Sequence, residues 1–530
     1  MAKLSADYKI IKNTLLFIIL AELLSFLGYY LPTINFISFF ALAILTLVLS
    51  LRRFEYGLYI LITELLIGSF GYLFYFETGG FKISLRIAIW LIIISVWLAK
   101  IISQLIKTKK IELIIFRSTY SFYFLGLFIF IALGVINGLL QNNSLSNLFF
   151  DFNNWLYFLL IFPIFFIVQP DNLNTIKKIF LAAISWLSLK TIFLAYIFSH
   201  IFNFSDLYLW VRRSGVGEIT LVVPGFNRIF MQSHIFVLIG FFILLFYLLK
   251  LTTEQSMSFR PDPVLNAGTE RNSLYYKNST LSDSSSPRLV GMAKNILFST
   301  LLLSTIIISF SRSFWLGLAV GGLFVWLIAI FKLKIKLKQF ILFNFTVLAV
   351  IILSLGLVAA IIKFPYPSPS GGFNATNLLS ERATKITNEA GASSRWQLLT
   401  PLWEKIKTAP ILGRGFGAVV TYKSSDPRIL SSSPNGEYTT YAFEWGWLDV
   451  WLKLGIFGLL AYLVLLIKII IDALKINSYY SLALATGLII IITVNIFSPY
   501  VNHPLGIGFL IFSAVSLELI KNSNRNKSIG

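Results

Sequence analysis

The chain predicts an all-α, polytopic membrane protein with about 14 transmembrane helices and one large extracytoplasmic loop. Three observations carry that prediction. Of 530 residues, 57% are hydrophobic and only 13% charged, too little polar surface to cover a soluble globule. Apolar runs of about 20 residues recur, the length that crosses a bilayer core of about 30 Å at 1.5 Å rise per residue. Within those runs the apolar residues are continuous and not alternating, which excludes a strand barrel.

The spans fall at about 13–31, 33–51, 56–76, 83–101, 118–139, 155–169, 179–200 and 231–249. Six more lie at about 295–311, 314–331, 339–362, 446–467, 479–497 and 505–520. The first run follows a short basic start, Met1 to Lys12, and no small-residue cleavage site comes after it. It reads as a retained span and not as a signal peptide. The run at 155–169 is the shortest, and Ser311-Arg312-Ser313 marks the tightest turn.

The connections divide the chain further. Residues 1–249 form the N-terminal membrane helices, with an outer loop at 201–230. Residues 250–294 are a cytoplasmic polar insert, rich in Ser and Asn with Pro261, Pro263 and Pro287, of a composition that suits disorder. Central helices at 295–362 precede a large outer loop at 363–445, and the C-terminal helices and basic tail occupy 446–530. The large loop opens with the breakers Pro365-Tyr366-Pro367-Ser368-Pro369-Ser370-Gly371-Gly372. From Arg395 to Lys407 it takes helical spacing, with Trp396, Leu399, Trp403 and Ile406 on one face, as in a helix lying along a membrane surface.

The net charge of +21 would suit a nucleic-acid binder in a soluble chain, but here its distribution is topological. With the N-terminus inside, the inner segments hold Lys3, Lys9 and Lys12, Arg52 and Arg53, Lys107, Lys109, Lys110 and Arg117, and Lys177 and Lys178. They also hold the basic residues from Lys250 to Lys294, the run Lys332, Lys334, Lys336 and Lys338, then Lys468, Lys475 and the tail. The short outer connections hold only Lys82, Arg86, Arg212, Arg213, Arg228 and Arg312. Both termini are therefore expected in the cytoplasm, with membrane lipids as partners and no nucleic acid. The absence of cysteine excludes disulfides and thiolate chemistry, and three widely spaced histidines argue against a histidine metal site.

This topology collects polar residues on one side. Arg228 ends the loop Pro224-Gly225-Phe226-Asn227-Arg228, Arg312 sits in the turn Ser311-Arg312-Ser313, and Arg395 and Glu444 flank the large loop. Arginine suits an anionic partner there because its planar fork binds phosphate oxygens in pairs and keeps its charge. A single arginine at a span end is more often an interfacial anchor, the reading that Arg212, Arg213 and Arg414 keep, although Arg414 lies inside a glycine-rich turn. Gly413-Arg414-Gly415-Phe416-Gly417 is a turn whose backbone amides could meet a phosphate, making Gly413, Arg414 and Gly415 candidate substrate contacts. Glu444, ahead of an apolar helix, has a plainer role as its N-terminal cap. His503, in Pro499-Tyr500-Val501-Asn502-His503-Pro504, is a further candidate for substrate binding or as a base.

Several of these motifs come in an order that resembles the O-antigen ligase and O-antigen polymerase superfamily of membrane glycosyltransferases. The Ser311-Arg312 pair opens a span, and Arg395 precedes Trp403 and the turn Pro410, Gly413, Gly415. Leu448 and Gly455-Ile456-Phe457-Gly458 lie on the next helix, and Arg228 resembles an upstream arginine of the family. The match covers about 310–465, with a weaker stretch at 205–245. Two positions depart from the family pattern. Glu444 stands 11 residues before Gly455, where ligases usually carry a histidine, and Lys453 stands where an acidic residue is common.

The resemblance implies a multi-pass protein of the bacterial inner membrane that acts in cell-envelope polysaccharide synthesis. Its donor would be a polyprenyl-diphosphate-linked glycan and its acceptor a glycan, lipid or protein hydroxyl. Arg228, Arg312 and Arg395 would hold the diphosphate, and Glu444 would take the acceptor's proton if burial raises its pKa. The donor is already activated, so neither nucleotide nor metal cofactor is expected. A secondary transporter or flippase is the rival reading, resting on the intramembrane ionisable residues Glu22, Glu64, Lys190 and Asp449.

Overall fold

A computed structural model describes residues 2–79, 81–109, 118–202, 204–258, 286–371 and 390–529. The chain opens with α1 (Ala2–Tyr30) and α2 (Pro32–Arg52), the second begun by a proline where a helix loses nothing by the missing N–H. Next come α3 (Phe54–Ile67) and the hairpin β1 (Tyr75–Thr78) and β2 (Phe81–Ser84). Ser84 then caps α4 (Leu85–Thr108) by accepting the Ile87 N–H at 3.3 Å. After α5 (Ser121–Leu140), one span is built of α6 (Leu145–Asn153), a 3₁₀ turn Asn154–Leu160 and α7 (Ile161–Ile167). There follow α8 (Pro170–Ser199), α9 (Ser205–Arg213) and a second hairpin, β3 (Glu218–Val223) and β4 (Phe226–Phe230).

The second half holds α10 (His234–Ser258), α11 (Ser286–Ser309), α12 (Arg312–Leu327) and α13 (Leu337–Ile362). Then come α14 (Ala390–Lys407), β5 (Val420–Lys423), the single turn α15 (Pro427–Leu430) and β6 (Glu437–Thr440). The last helices are α16 (Gly446–Ile476), α17 (Tyr479–Val494) and α18 (Pro504–Ile529). Helix α10 lies at the centre, packed on α8, α11, α12, α13 and α17, while α1 and α2 show most of their apolar surface outward, as lipid-facing helices do.

Among the described residues, 12 helical segments are long and apolar enough to cross a membrane. The two remaining expected spans, 56–76 and 479–497, also form helices but shorter ones, of 14 and 16 residues. The first stops at Ile67 because Ser69 takes a left-handed conformation (φ 50°) and the chain turns into the β1–β2 hairpin. Most of the polar insert and the stretch 372–389 of the large loop lie outside the described residues. At the insert's edges α10 runs on to Ser258 and α11 starts at Ser286.

The helix expected from Arg395 to Lys407 is present as α14, and a second stripe of it packs on the protein. Leu398, Leu402 and Ile406 are buried, spaced four apart, against Ala418, Val420, Phe443 and Leu452. Trp396 and Trp403 lie at the edge, their rings 5.3 and 5.4 Å from those of Trp445 and Trp451. The helix is thus a structural layer over the start of α16.

The buried charges come in compensated groups. Glu22 pairs with Lys190 at 2.5 Å and Glu64 with Arg86 at 2.8 Å. Lys453 sits 2.5 Å from Asp449 and also binds Asp151. Each ionisable residue on which the transporter reading rests therefore has an opposite charge beside it, the arrangement that makes such a group tolerable away from water.

Candidate active site

Where the connections 68–84, 200–233, 309–313 and 495–503 meet α14 and the start of α16, a polar cavity of about 320 Å³ opens. Its walls carry Arg228, Arg312, Arg395, Glu444 and His503, five of the residues singled out from the sequence. They come from five separate stretches, and local geometry aims each one. Arg228 lies on β4, where Nε donates to the Ser309 carbonyl at 3.0 Å and the guanidinium rests 4.8 Å from the Phe230 ring centroid. Arg312 opens α12 two residues after Phe310, whose left-handed conformation (φ 47°) makes the tight turn. Arg395, on α14, pairs with Glu444.

The surrounding loops are tied to one another. Tyr500 donates from Oη to the Gln232 carbonyl at 2.9 Å, the Gln232 N–H donates to Ser69 Oγ at 3.2 Å, and Ser498 Oγ donates to Ser313 Oγ at 3.2 Å. Trp445 donates from its indole to the Arg395 carbonyl at 2.8 Å, and its ring lies 5.3 Å from that of Phe497 at a tilt of 55°. Fixed dipoles and cations of this kind, held before substrate arrives, are what stabilises charge that develops during reaction.

Two expectations are corrected. Glu444 is 52% exposed, so the burial that would make its carboxyl a stronger base is not there. Its neighbour Phe443 is buried, but beneath α14 and away from the carboxylate. The glycine-rich turn does not line the cavity either. Four of its five amides are taken by the protein: Gly413 N–H donates to Ala409 O at 3.0 Å, Arg414 N–H to Leu452 O at 2.6 Å, Phe416 N–H to Gly134 O at 3.1 Å, and Gly417 N–H to Asp151 at 2.9 Å. The Arg414 side chain donates to Thr408 and Gln141, each at 2.8 Å.

That turn plugs a break in α16. Gly455 has φ +70° inside the helix, and the Ile456 N–H reaches out to the Pro410 carbonyl at 3.0 Å. A Cβ on Gly455 would lie 2.0 Å from the Ile411 carbonyl oxygen, and one on Gly415 would lie 2.1 Å from the Gly138 nitrogen. Gly413, Gly415 and Gly455 are there for close backbone approach.

His503 is held neutral. Burial, with the Arg86 charge nearby, pushes its pKa from the ordinary 6.5 down to about 3. Nδ1 accepts the Leu505 N–H at 3.3 Å, which leaves the ring proton on Nε2 as a donor. The sign of the linkage follows. Above about pH 6.5 the group is neutral folded and unfolded, and between pH 6.5 and 3 only the unfolded chain takes the proton. Stability is thus expected to fall as pH drops through that window. His503→Gln is expected to flatten this loss, read as the thermal midpoint of the detergent-solubilised protein at pH 7 and pH 5. An unchanged pH dependence would count against a neutral His503.

Three cavity residues escaped the sequence reading: Glu218, Gln232 and Tyr500 as a donor. The strand pairing finds the first. Glu218 stands opposite Phe230 and Thr220 opposite Arg228, so by the two-residue period Glu218 and Arg228 share one face of the hairpin. The signal was there in principle, since Asp206 and Glu218 are the two carboxylates of the loop 201–230. The hairpin was not expected, and without it the face could not be assigned.

Residues 297–463 match the family model described as O-antigen ligase. Among curated proteins none matches the chain. The matched segment supplies Arg312, Arg395 and Glu444, while Arg228, Glu218 and His503 reach the same cavity from outside it. The match over residues 297–463 is a similarity to the O-antigen ligase family, and it supports the resemblance that the chain's motifs bear to the O-antigen ligase and polymerase superfamily.

Proposed function

We propose that this protein transfers a glycan from a polyprenyl-diphosphate carrier to an acceptor hydroxyl on the outer face of the bacterial inner membrane. The observation that carries the reading is the meeting of Arg228, Arg312 and Arg395 around one cavity at one end of the bundle. A carrier's isoprenoid tail stays in the bilayer and presents its diphosphate at that depth, where three arginines meet the charge that grows on the leaving group. The excess of lysine and arginine on the opposite connections supports placing the cavity outside, with both termini in the cytoplasm. The donor phosphate ester supplies the driving force, so transfer proceeds without nucleotide or added metal. A carboxylate of the wall, Glu218 or Glu444, takes the acceptor's proton.

The test is reconstitution of purified protein in proteoliposomes with a polyprenyl-diphosphate oligosaccharide, with chelator and without nucleotide. A ladder of repeats with free polyprenyl diphosphate identifies a polymerase, and a single glycan added to a supplied lipid or protein acceptor identifies a ligase. Donor that stays intact while lipid-linked sugar crosses the bilayer would replace this reading with the transporter one.

A further inference from the structure

Four groups on the cavity wall could in principle handle the acceptor's proton: Glu218, Glu444, His503 and Tyr500. Three of them are occupied or mismatched. The Glu444 carboxylate is engaged by Arg395, and this ion pair aims the guanidinium. His503 has its Nδ1 lone pair satisfied by the Leu505 N–H, which leaves Nε2 as a donor and no ring nitrogen free to accept a proton. Burial pushes the Tyr500 phenol up, Arg228 offsets this only in part, and Oη is committed as a donor to the Gln232 carbonyl. Glu218 differs from all three. Its side chain is exposed at the cavity, on the hairpin face it shares with Arg228. Among the described residues it makes no side-chain hydrogen bond and no ion pair.

We propose that Glu218 is the general base of the transfer, and that Glu444 is a positioning residue for Arg395. The inference rests on the glycosyl-transfer reading and goes beyond it by naming the proton's destination. In the step, the acceptor oxygen forms a bond to the anomeric carbon as the bond from that carbon to the diphosphate oxygen breaks. The leaving polyprenyl diphosphate keeps the electron pair, against Arg228, Arg312 and Arg395, and the hydroxyl proton passes to a Glu218 carboxylate oxygen. Placing the base on the same hairpin face as Arg228 fixes acceptor and leaving group relative to each other through one rigid element, with rate gains of the kind that orientation supplies.

The experiment compares wild type with Glu218→Gln, Glu218→Asp and Glu444→Gln in proteoliposomes loaded with an undecaprenyl-diphosphate oligosaccharide. Two acceptors are used in turn, a sugar and azide, an anion with no proton to give up, beside a control without acceptor. Glu218→Gln is expected to lose roughly 10²–10⁴-fold in transfer to the sugar while binding the donor as wild type does. With azide it forms glycosyl azide at a rate within about tenfold of wild type, because no base is needed. Glu218→Asp keeps the acid limb of the pH–rate profile at a lower rate, and Glu218→Gln loses that limb. The proposal is overturned by wild-type sugar transfer in Glu218→Gln, by a defect that azide does not rescue, or by azide rescue of Glu444→Gln in its place. The last outcome would mean that donor binding draws Arg395 away and frees Glu444. Failure of wild type to consume the donor with either acceptor would bring down the glycosyl-transfer reading itself, an outcome distinct from the other three.

Discussion

Arg312→Ala is expected to lower glycan transfer by roughly 10²–10³-fold, with the protein still inserted and monodisperse. The size follows from what one fixed donor contributes when it faces charge that appears only in the transition state. Arg312 is placed for that role by backbone and not by its own flexibility: the left-handed Phe310 forces the turn, and helix α12 begins at Arg312 itself. The loss is expected mainly in kcat, since the leaving diphosphate gains charge as the bond breaks. Arg312→Lys is expected to fall between alanine and wild type, because an ammonium keeps the charge and loses the planar fork. Arg228→Ala and Arg395→Ala are expected to behave alike, and pairs of these changes to cost less than the product of single effects, since the three act on one group. Steady-state kinetics with a fixed acceptor measures this, and near-normal kcat in Arg312→Ala would remove it from the site.

Lys453→Met is expected to destabilise the fold by about 3–5 kcal/mol, the usual cost of leaving buried charge without its partner. Lys453, Asp449 and Asp151 are all buried, on α16 and α6, and the cluster ties four parts of the chain together. Asp151 also accepts the Gly417 N–H at 2.9 Å, and Asn502 donates to Asp449. Removing the lysine leaves two carboxylates facing each other away from water. The departure from the family pattern at this position thereby gains a physical reason: with Asp151 and Asp449 adjacent, a third carboxylate here would have no compensating cation. Asp151→Asn and Asp449→Asn added to Lys453→Met are expected to restore much of the loss, because neutral groups need no counter-charge. The thermal midpoint of the solubilised protein tests both. A wild-type midpoint in the single variant would show that water reaches the cluster.

How much of this could be read from the sequence differs by level. Hydropathy located every helix of the membrane region, because burial in lipid demands a continuous apolar stretch and leaves a local, one-dimensional record. It misjudged lengths at 56–76 and 479–497, where Ser69 and Asn495 end helices inside apolar sequence. It named only the tryptophan face of α14 and missed the Leu398, Leu402, Ile406 stripe, which also has helical spacing and packs on Val420 and Phe443.

Span length and loop charge are local properties, so the fold class, the order of the helices and the expectation that Arg228, Arg312, Arg395 and Glu444 lie on one side could be read along the chain. Only the tertiary structure decided which of these residues share a wall. Lateral position around the bundle depends on how α8, α10, α12, α16 and α17 pack, contacts between residues far apart in the chain. The same packing turned the Gly413–Gly417 amides inward to serve the break at Gly455, paired Glu444 with Arg395, and folded 218–230 into a hairpin that brings Glu218 beside Arg228.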